Sequence, residues 1–287
     1  MKLVVRHSTF YRYGAGSTRA AMLLKLKPRT LATQTVSEWS LSVNGERIER
    51  FYTNGYGDQE ALWMSHAWLE EAEIVATGVV DTVDAAGVMG DMGERFDPRI
   101  YLRDTDLTLA DEAIVALARS VEGNGELATL HALSAAVREA VDYRSGSTGT
   151  DTTAAQALAQ GRGVCQDHAH VFIAGARVLG IPARYVTGYL LAEADELALH
   201  ETHGWAEARV PGLGWVGFDP SNGVSVTDSY VRIAGGMDAH DAAPVRGSVT
   251  AAGLIAIDAD VRIDHAEAAQ VQQLQEQQQQ QTRPERE

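Results

Sequence analysis

A chain of 287 residues can bury a large core and, by the usual scaling of domain size, is long enough for about two domains. Its 39 acidic against 24 basic side chains give a formal charge of -15, which argues against general nucleic-acid binding, because phosphate contacts need clusters of Lys and Arg. One cysteine excludes an internal disulfide, no apolar run approaches the ~20 residues of a membrane span, and the opening MKLVVRHSTFYRYGAG lacks a signal-peptide pattern, so a cytoplasmic location with no membrane partner is expected.

Residues 1–82 are expected to form a small β-rich domain. Leu3, Val5, His7, Thr9, Tyr11 and Tyr13 alternate along one segment, and Trp39 to Val43 and Ile74 to Val80 read as further strands between Asn-Gly and Gly-rich turns. His7 and His66 lack ligand spacing to other donors and are read as structural or surface residues. Residues 83–100, rich in Gly and Asp, are expected to link this domain to a core over 101–232. Helical spacing then begins with Ala110, Ile114, Leu117 and Val121. It continues through Leu127, Leu130, Ser134, Val137 and Val141, with a third short helix in TTAAQALAQ.

The segment GRGVCQDHAHVFIAGARVLGIPARYVTGYL places Cys165 after a glycine turn, at the start of a helix that carries Ala169, Phe172, Ala176 and Leu179 on one apolar stripe. A sulfur at a helix N-terminus faces unpaired N–H groups and the positive end of the macrodipole, and both favour the thiolate. Downstream, ETHGWAEARVPGLGWVGFDPSNG reads as a hairpin. Gly204, Ala206 and Ala208 alternate with Trp205, Glu207 and Arg209, which predicts a strand with one tightly packed face. A three-residue loop at Pro211, Gly212 and Leu213 pairs Trp205 with Asp219 and sets His203 diagonally beside Asp219; a four-residue loop without a bulge puts the two on opposite faces. Helices first and antiparallel strands after them are the order of an α+β core.

Past Asn222 the pattern weakens. SVTDSYVRIAGGMDAHDAAPVRG reads as loop, and residues 233–262 as a C-terminal extension in which GLIAIDADVRI forms a final strand. Residues 263–287 are a Gln-rich tail expected to be disordered or frayed helix rather than a partner-binding helix.

The run GVCQDHAHVFIAGARVLGIPARYVTGYL followed by THGWAEARVPGLGWVGFDPSNG resembles the transglutaminase-like superfamily, in particular a bacterial branch described as candidate cysteine proteases. RHSTFYRYGAG and FYTNGYGDQEALW resemble the β-rich domain that precedes the core in that branch. The resemblance implies a papain-like, transglutaminase-like core whose nucleophile opens a helix packed on an antiparallel sheet. It also implies Cys165 as nucleophile, His203 as base and Asp219 as orienter.

In that division of roles an imidazolium at His203 protonates a departing amine and Asp219 fixes its tautomer. The Cys165 N–H is the simplest oxyanion donor, with Tyr143 as a second candidate beside a structural role in closing the preceding helix; Gln166 and Trp205 are supporting candidates. A lone cysteine on an apolar helix face can instead be packing, and Trp205, Trp215 and Tyr189 fit a core as well as a cleft wall. A metal site from Cys165, His168 and His170 with His200 or His203 is disfavoured, because positions 168 and 170 of a helix point some 200° apart. No cofactor motif is present and none is expected. The expected activity is thiol-dependent cleavage of a peptide, isopeptide or other amide bond in a peptide or protein substrate. Acyl transfer to an amine, an inactive binding module and a structural role in an assembly stand beside it.

Overall fold

The computed structural model describes residues 1–93, 96–191, 202–251 and 255–267. β1 (Lys2–Lys27) runs the length of the β-rich half, turning Leu3, Val5 and Tyr13 inward while Lys2, Arg6 and Arg12 stay exposed. β2 (Gln34–Val43), β3 (Glu46–Arg47), β4 (Tyr52–Thr53), β5 (Gln59–Ser65) and β6 (Leu69–Thr82) follow. β5 and β6 lie end to end along one edge of β1, with Leu23 opposite Leu62 and Leu3 opposite Val80.

The Gly- and Asp-rich segment expected as a linker instead contributes β7 (Val88–Gly90) to the edge of a second sheet, and a 3-10 helix (Pro98–Leu102). Met89 and Met92 of this segment, with Tyr101 of the 3-10 helix, bury against Trp215. α1 (Glu112–Ser120) is capped by the Asp111 side chain. α2 (Glu126–Ala140) leads into β8 (Asp142–Tyr143), and α3 (Ala154–Gln160), started by a Thr153/Gln156 capping box, leads into β9 (Arg162–Gly163). β8 and β9 pair in parallel just ahead of α4 (Cys165–Val178).

The second sheet is built from β10 (Ala183–Leu190), β11 (His203–Val210), β12 (Gly214–Asp219), β13 (Val224–Ser225) and β14 (Tyr230–Gly236), in the order β13-β12-β11-β10-β14. α4 packs on this sheet and is covered by α1, α2 and α3, so it is buried all round from Asp167 to Arg177 rather than along a single stripe. The segment after Asn222 expected as loop supplies β13, β14 and then β15 (Val245–Ala251). Every residue of β14 is buried, which removes the polar alternation that would have marked it as a strand. Position 232, the expected end of the core, falls inside β14. β15 and β16 (Ile255–His265) pair along β1 on the side opposite β5 and β6, so the final strand completes the N-terminal sheet. Residues 268–287 of the Gln-rich tail lie outside the described residues.

The helix-facing side of the second sheet carries Tyr185, Ala206, Ala208 and Phe218 in one apolar core with α4. The sheet meets the β-rich half through an apolar cluster of Leu3, Val5, Val80 and Val261 with Tyr189, Val231 and Ile233, and through polar groups. Arg184 and Arg232 share Glu207, Arg232 also pairs with Asp58, and all four are buried. His7 is enclosed between Tyr189 and Thr9, its ring nitrogens 3.0 and 2.9 Å from their hydroxyls.

Burial lowers the pKa of His7 to about 4, against an opposing pull from Asp260, and that of His170, enclosed in α4, to about 3. An unfolded chain takes up these protons near pH 6.5 and the folded one does not. The part of the stability that these two histidines govern is therefore complete above pH 6.5 and falls as the pH drops, by about 1.4 kcal/mol per pH unit for each. The urea midpoint is expected to fall between pH 6.5 and 4.5, and His7→Gln to remove about half of that slope. An unchanged slope in the variant would refute the assignment.

Candidate active site

The hairpin of β11 and β12 has the register expected of a three-residue loop: Val210 pairs with Gly214 and Ala206 with Phe218. Gly212 takes φ +79 in that loop, a conformation glycine adopts without steric cost. Continued one step, this register sets position 205 opposite 219, and His203 Nε2 lies 2.6 Å from Asp219 Oδ2 with both side chains buried. The small face of β11 has a concrete cause at Gly204, where an added Cβ would stand 1.9 Å from the Tyr185 hydroxyl.

Cys165 is the first residue of α4, and no side chain caps this end. The Val164 N–H instead donates to Asp167 Oδ2 at 2.8 Å, and the Thr148 hydroxyl donates to the same oxygen at 2.6 Å. These bonds pin the 144–150 loop beside Cys165. Cys165 is partly exposed and close enough to His203 to act on its ring, so the imidazole lies between thiol and carboxylate. Burial alone lowers the His203 pKa; the bond to Asp219 and the proximity of Cys165 outweigh it and raise the pKa to about 10. The resting ring at neutral pH is thus an imidazolium. Burial likewise pushes the Asp219 carboxyl up, while its hydrogen bonds from His203, Ser221 and Tyr230 hold it well below the usual carboxylate range.

Asp219 is held by more residues than the sequence pattern named. Besides His203, Oδ2 accepts from Asn222 Nδ2 and from the Tyr230 hydroxyl, each at 2.8 Å. Oδ1 accepts from Ser221 Oγ at 2.6 Å and from the Asn222 N–H at 3.2 Å. Ser221 and Asn222 were within reach of sequence reasoning, since Asp-Pro-Ser-Asn-Gly is a turn in which an Asp side chain takes up local donors. Tyr230 left no such signal: it lies eleven residues away from Asp219, in a segment read as loop.

The supporting candidates divide. Trp205 is fully buried, stacked beside His203 at 6.2 Å between centroids and edge-on to Tyr230 at 5.4 Å. Gln166 donates to the Thr150 carbonyl at 3.0 Å, which adds a second tie to the 144–150 loop. Tyr143 is half-exposed on β8, with its ring 6.1 Å from that of His168. Trp215 and Tyr189 are buried, core rather than cleft wall.

The histidines of the alternative metal set are engaged elsewhere. His168 turns Nδ1 to the Val164 carbonyl and Nε2 to the Val141 carbonyl, and His170 Nε2 accepts from the Ala239 N–H. His200 lies outside the described residues. Among the described residues no three His, Cys, Asp or Glu side chains are grouped to hold a metal ion, and no helix is long and apolar enough to cross a membrane.

Residues 115–220 match the family model of the transglutaminase-like superfamily core, and residues 3–81 match that of the bacterial transglutaminase-like N-terminal region. An uncharacterized protein of Mycobacterium leprae is 29% identical over 279 residues, covering 91% of this chain and 98% of its own. An uncharacterized protein of Mycobacterium tuberculosis is 36% identical over 116 residues, 37% of each chain. The crystal structure of a candidate cysteine protease from Cytophaga hutchinsonii has the same fold, with a TM-score of 0.72 at 24% identity over 93% of this chain and 91% of that one.

Proposed function

Because the chain belongs to the transglutaminase-like superfamily, with the bacterial N-terminal region ahead of the core, we propose that it is a thiol-dependent hydrolase acting on a peptide, isopeptide or other amide bond of a peptide or protein in the cytoplasm. The observation that carries this reading is the buried His203–Asp219 pair at 2.6 Å, with Cys165 at the N-terminus of α4 acting on the same imidazole. The Cys165 thiolate attacks the carbonyl carbon, and the oxyanion that forms is met by the Cys165 N–H, with Tyr143 as a second candidate donor. Collapse breaks the C–N bond as the amine takes the His203 proton. Water then attacks the thioester, gives its proton to His203 and expels the thiolate.

Alkylation tests the nucleophile without knowledge of the substrate. Iodoacetamide at neutral pH is expected to modify Cys165 at least tenfold faster than a free thiol, and His203→Ala to remove the advantage. Equal rates in wild type, variant and free thiol would end the reading. With an acyl donor and a labelled amine supplied together, free acid is the expected product, and a labelled amide would instead identify a transferase.

A further inference from the structure

The hydroxyl of Tyr230 donates to Asp219 Oδ2, yet the backbone that carries it is held by the other half of the molecule. Two residues before it, the Asp228 carbonyl accepts from the Thr82 hydroxyl at 2.5 Å. Two residues after it, a single Gln34 side chain engages both backbone groups of Arg232. The Arg232 N–H donates to Oε1 and its carbonyl accepts from Nε2, each at 2.9 Å. Gln34 is itself fixed by a bond from Nε2 to the Arg29 carbonyl at 2.8 Å. Gln34 and Thr82 belong to β2 and β6 of the β-rich half and are both 3% exposed.

These contacts matter because of where β14 lies. It is the terminal strand of the second sheet, and its pairing with β10 shifts register between Thr187 and Gly188, close to Tyr230. A terminal strand leaves one row of backbone groups without a ladder partner, and buried groups of that kind must find one elsewhere. Gln34 acts here as a one-residue strand neighbour. The Tyr230 phenol is thus fixed from three directions: by Thr82 and Gln34 along the backbone, by Trp205 at the ring and by Asp219 at the hydroxyl. Trp205 in turn stacks on His203.

We propose that Tyr230 is a positioning residue for the Asp219–His203 pair, and that the β-rich half acts on the chemistry through it by way of Gln34 and Thr82. The proposal rests on the reading of Cys165, His203 and Asp219 given above, and it assigns that half of the chain a part in setting the proton affinity of His203. When the Tyr230 hydroxyl or its backbone anchors are lost, Asp219 is less firmly aimed and its hold on the imidazolium weakens.

The test is the pH dependence of Cys165 alkylation by iodoacetamide in the full chain. Tyr230→Phe, Gln34→Ala and Thr82→Val are each expected to slow the reaction at neutral pH by roughly fivefold, the size of effect that small misplacements produce. Each is also expected to move the His203 inflection down from about 10 toward the 6.5 of a free imidazole. If Gln34 works through Tyr230, the double variant Gln34→Ala/Tyr230→Phe reacts no more slowly than Tyr230→Phe alone. Ile74→Val, a core change in the β-rich half away from these contacts, controls for destabilisation and is expected to keep the wild-type rate and inflection. Folded Gln34→Ala and Thr82→Val proteins with wild-type profiles, or losses that multiply in the double variant, overturn the proposal. A wild-type Cys165 that is no faster than free thiol overturns the reading of the site, and this proposal with it.

Discussion

Replacing His203 with alanine is expected to lower turnover at neutral pH by about 10^4- to 10^6-fold, and Cys165→Ala by at least as much. In the mechanism proposed above, the His203 imidazolium gives the leaving group its proton and Cys165 supplies the attacking sulfur, so removing either partner removes the whole step. The double variant Cys165→Ala/His203→Ala should therefore be no slower than Cys165→Ala alone; multiplied losses would show that the two do not act as a unit. Asp219→Asn keeps the shape of the pocket but withdraws the carboxylate that helps hold the His203 pKa at about 10. In the wild type the imidazolium is lost as pH rises through about 10, because there the ring gives up its proton. In Asp219→Asn that alkaline limb should move down by a unit or more, each unit being about 1.4 kcal/mol of lost preference for the charged ring. An alkaline limb that stayed in place would mean that another group carries it.

Much of this arrangement is written locally in the chain. The helix that opens on Cys165 is announced by glycines before it and an apolar run after it, and the hairpin by alternation around a Pro-Gly-Leu-Gly turn whose odd loop length fixes the register. What was not legible depends on elements distant in sequence. β14 has no alternation because both of its faces are covered, one of them by strands more than a hundred residues earlier, and the Tyr230 contact with Asp219 follows from that placement. β15 was hidden for a related reason. VRGSVTA is a weak strand sequence that forms beside β1, where a long neighbour offers a ladder of backbone groups. The single apolar stripe on α4 was legible, but not the burial of its other faces, where Asp167 meets Thr148, His168 meets the Val141 carbonyl, and His170 meets Tyr185 and the Ala239 N–H.

Glu207→Leu should be among the most destabilising single changes outside the reactive pair. Glu207 is wholly buried on β11, accepting from Arg184 Nε at 2.7 Å and from Arg232 Nε at 3.1 Å. Burial pushes its carboxyl up, but the two guanidinium groups outweigh this and keep it ionised. Around it Arg29, Arg184 and Arg232 face Asp58 and Glu207, so losing this carboxylate leaves three cations against one anion in a largely buried cluster. Breaking a buried pair in this way typically costs about 3–5 kcal/mol, much of it the cost of the stranded charge. For a chain of this size that corresponds to a fall in Tm of about 10 °C. Asp91→Ala, which breaks the exposed pair with Arg209, should leave the Tm within a degree or two, since solvent screens that contact. A loss of under ~1 kcal/mol for Glu207→Leu would mean that the arginines find other partners. A loss of the expected size would carry a consequence for the site as well. Arg232 is held by Glu207 at its side chain and by Gln34 at its backbone, so a stranded guanidinium pulls on the segment that aims Tyr230 at Asp219. Glu207→Leu should then slow Cys165 alkylation even under conditions where the protein is fully folded.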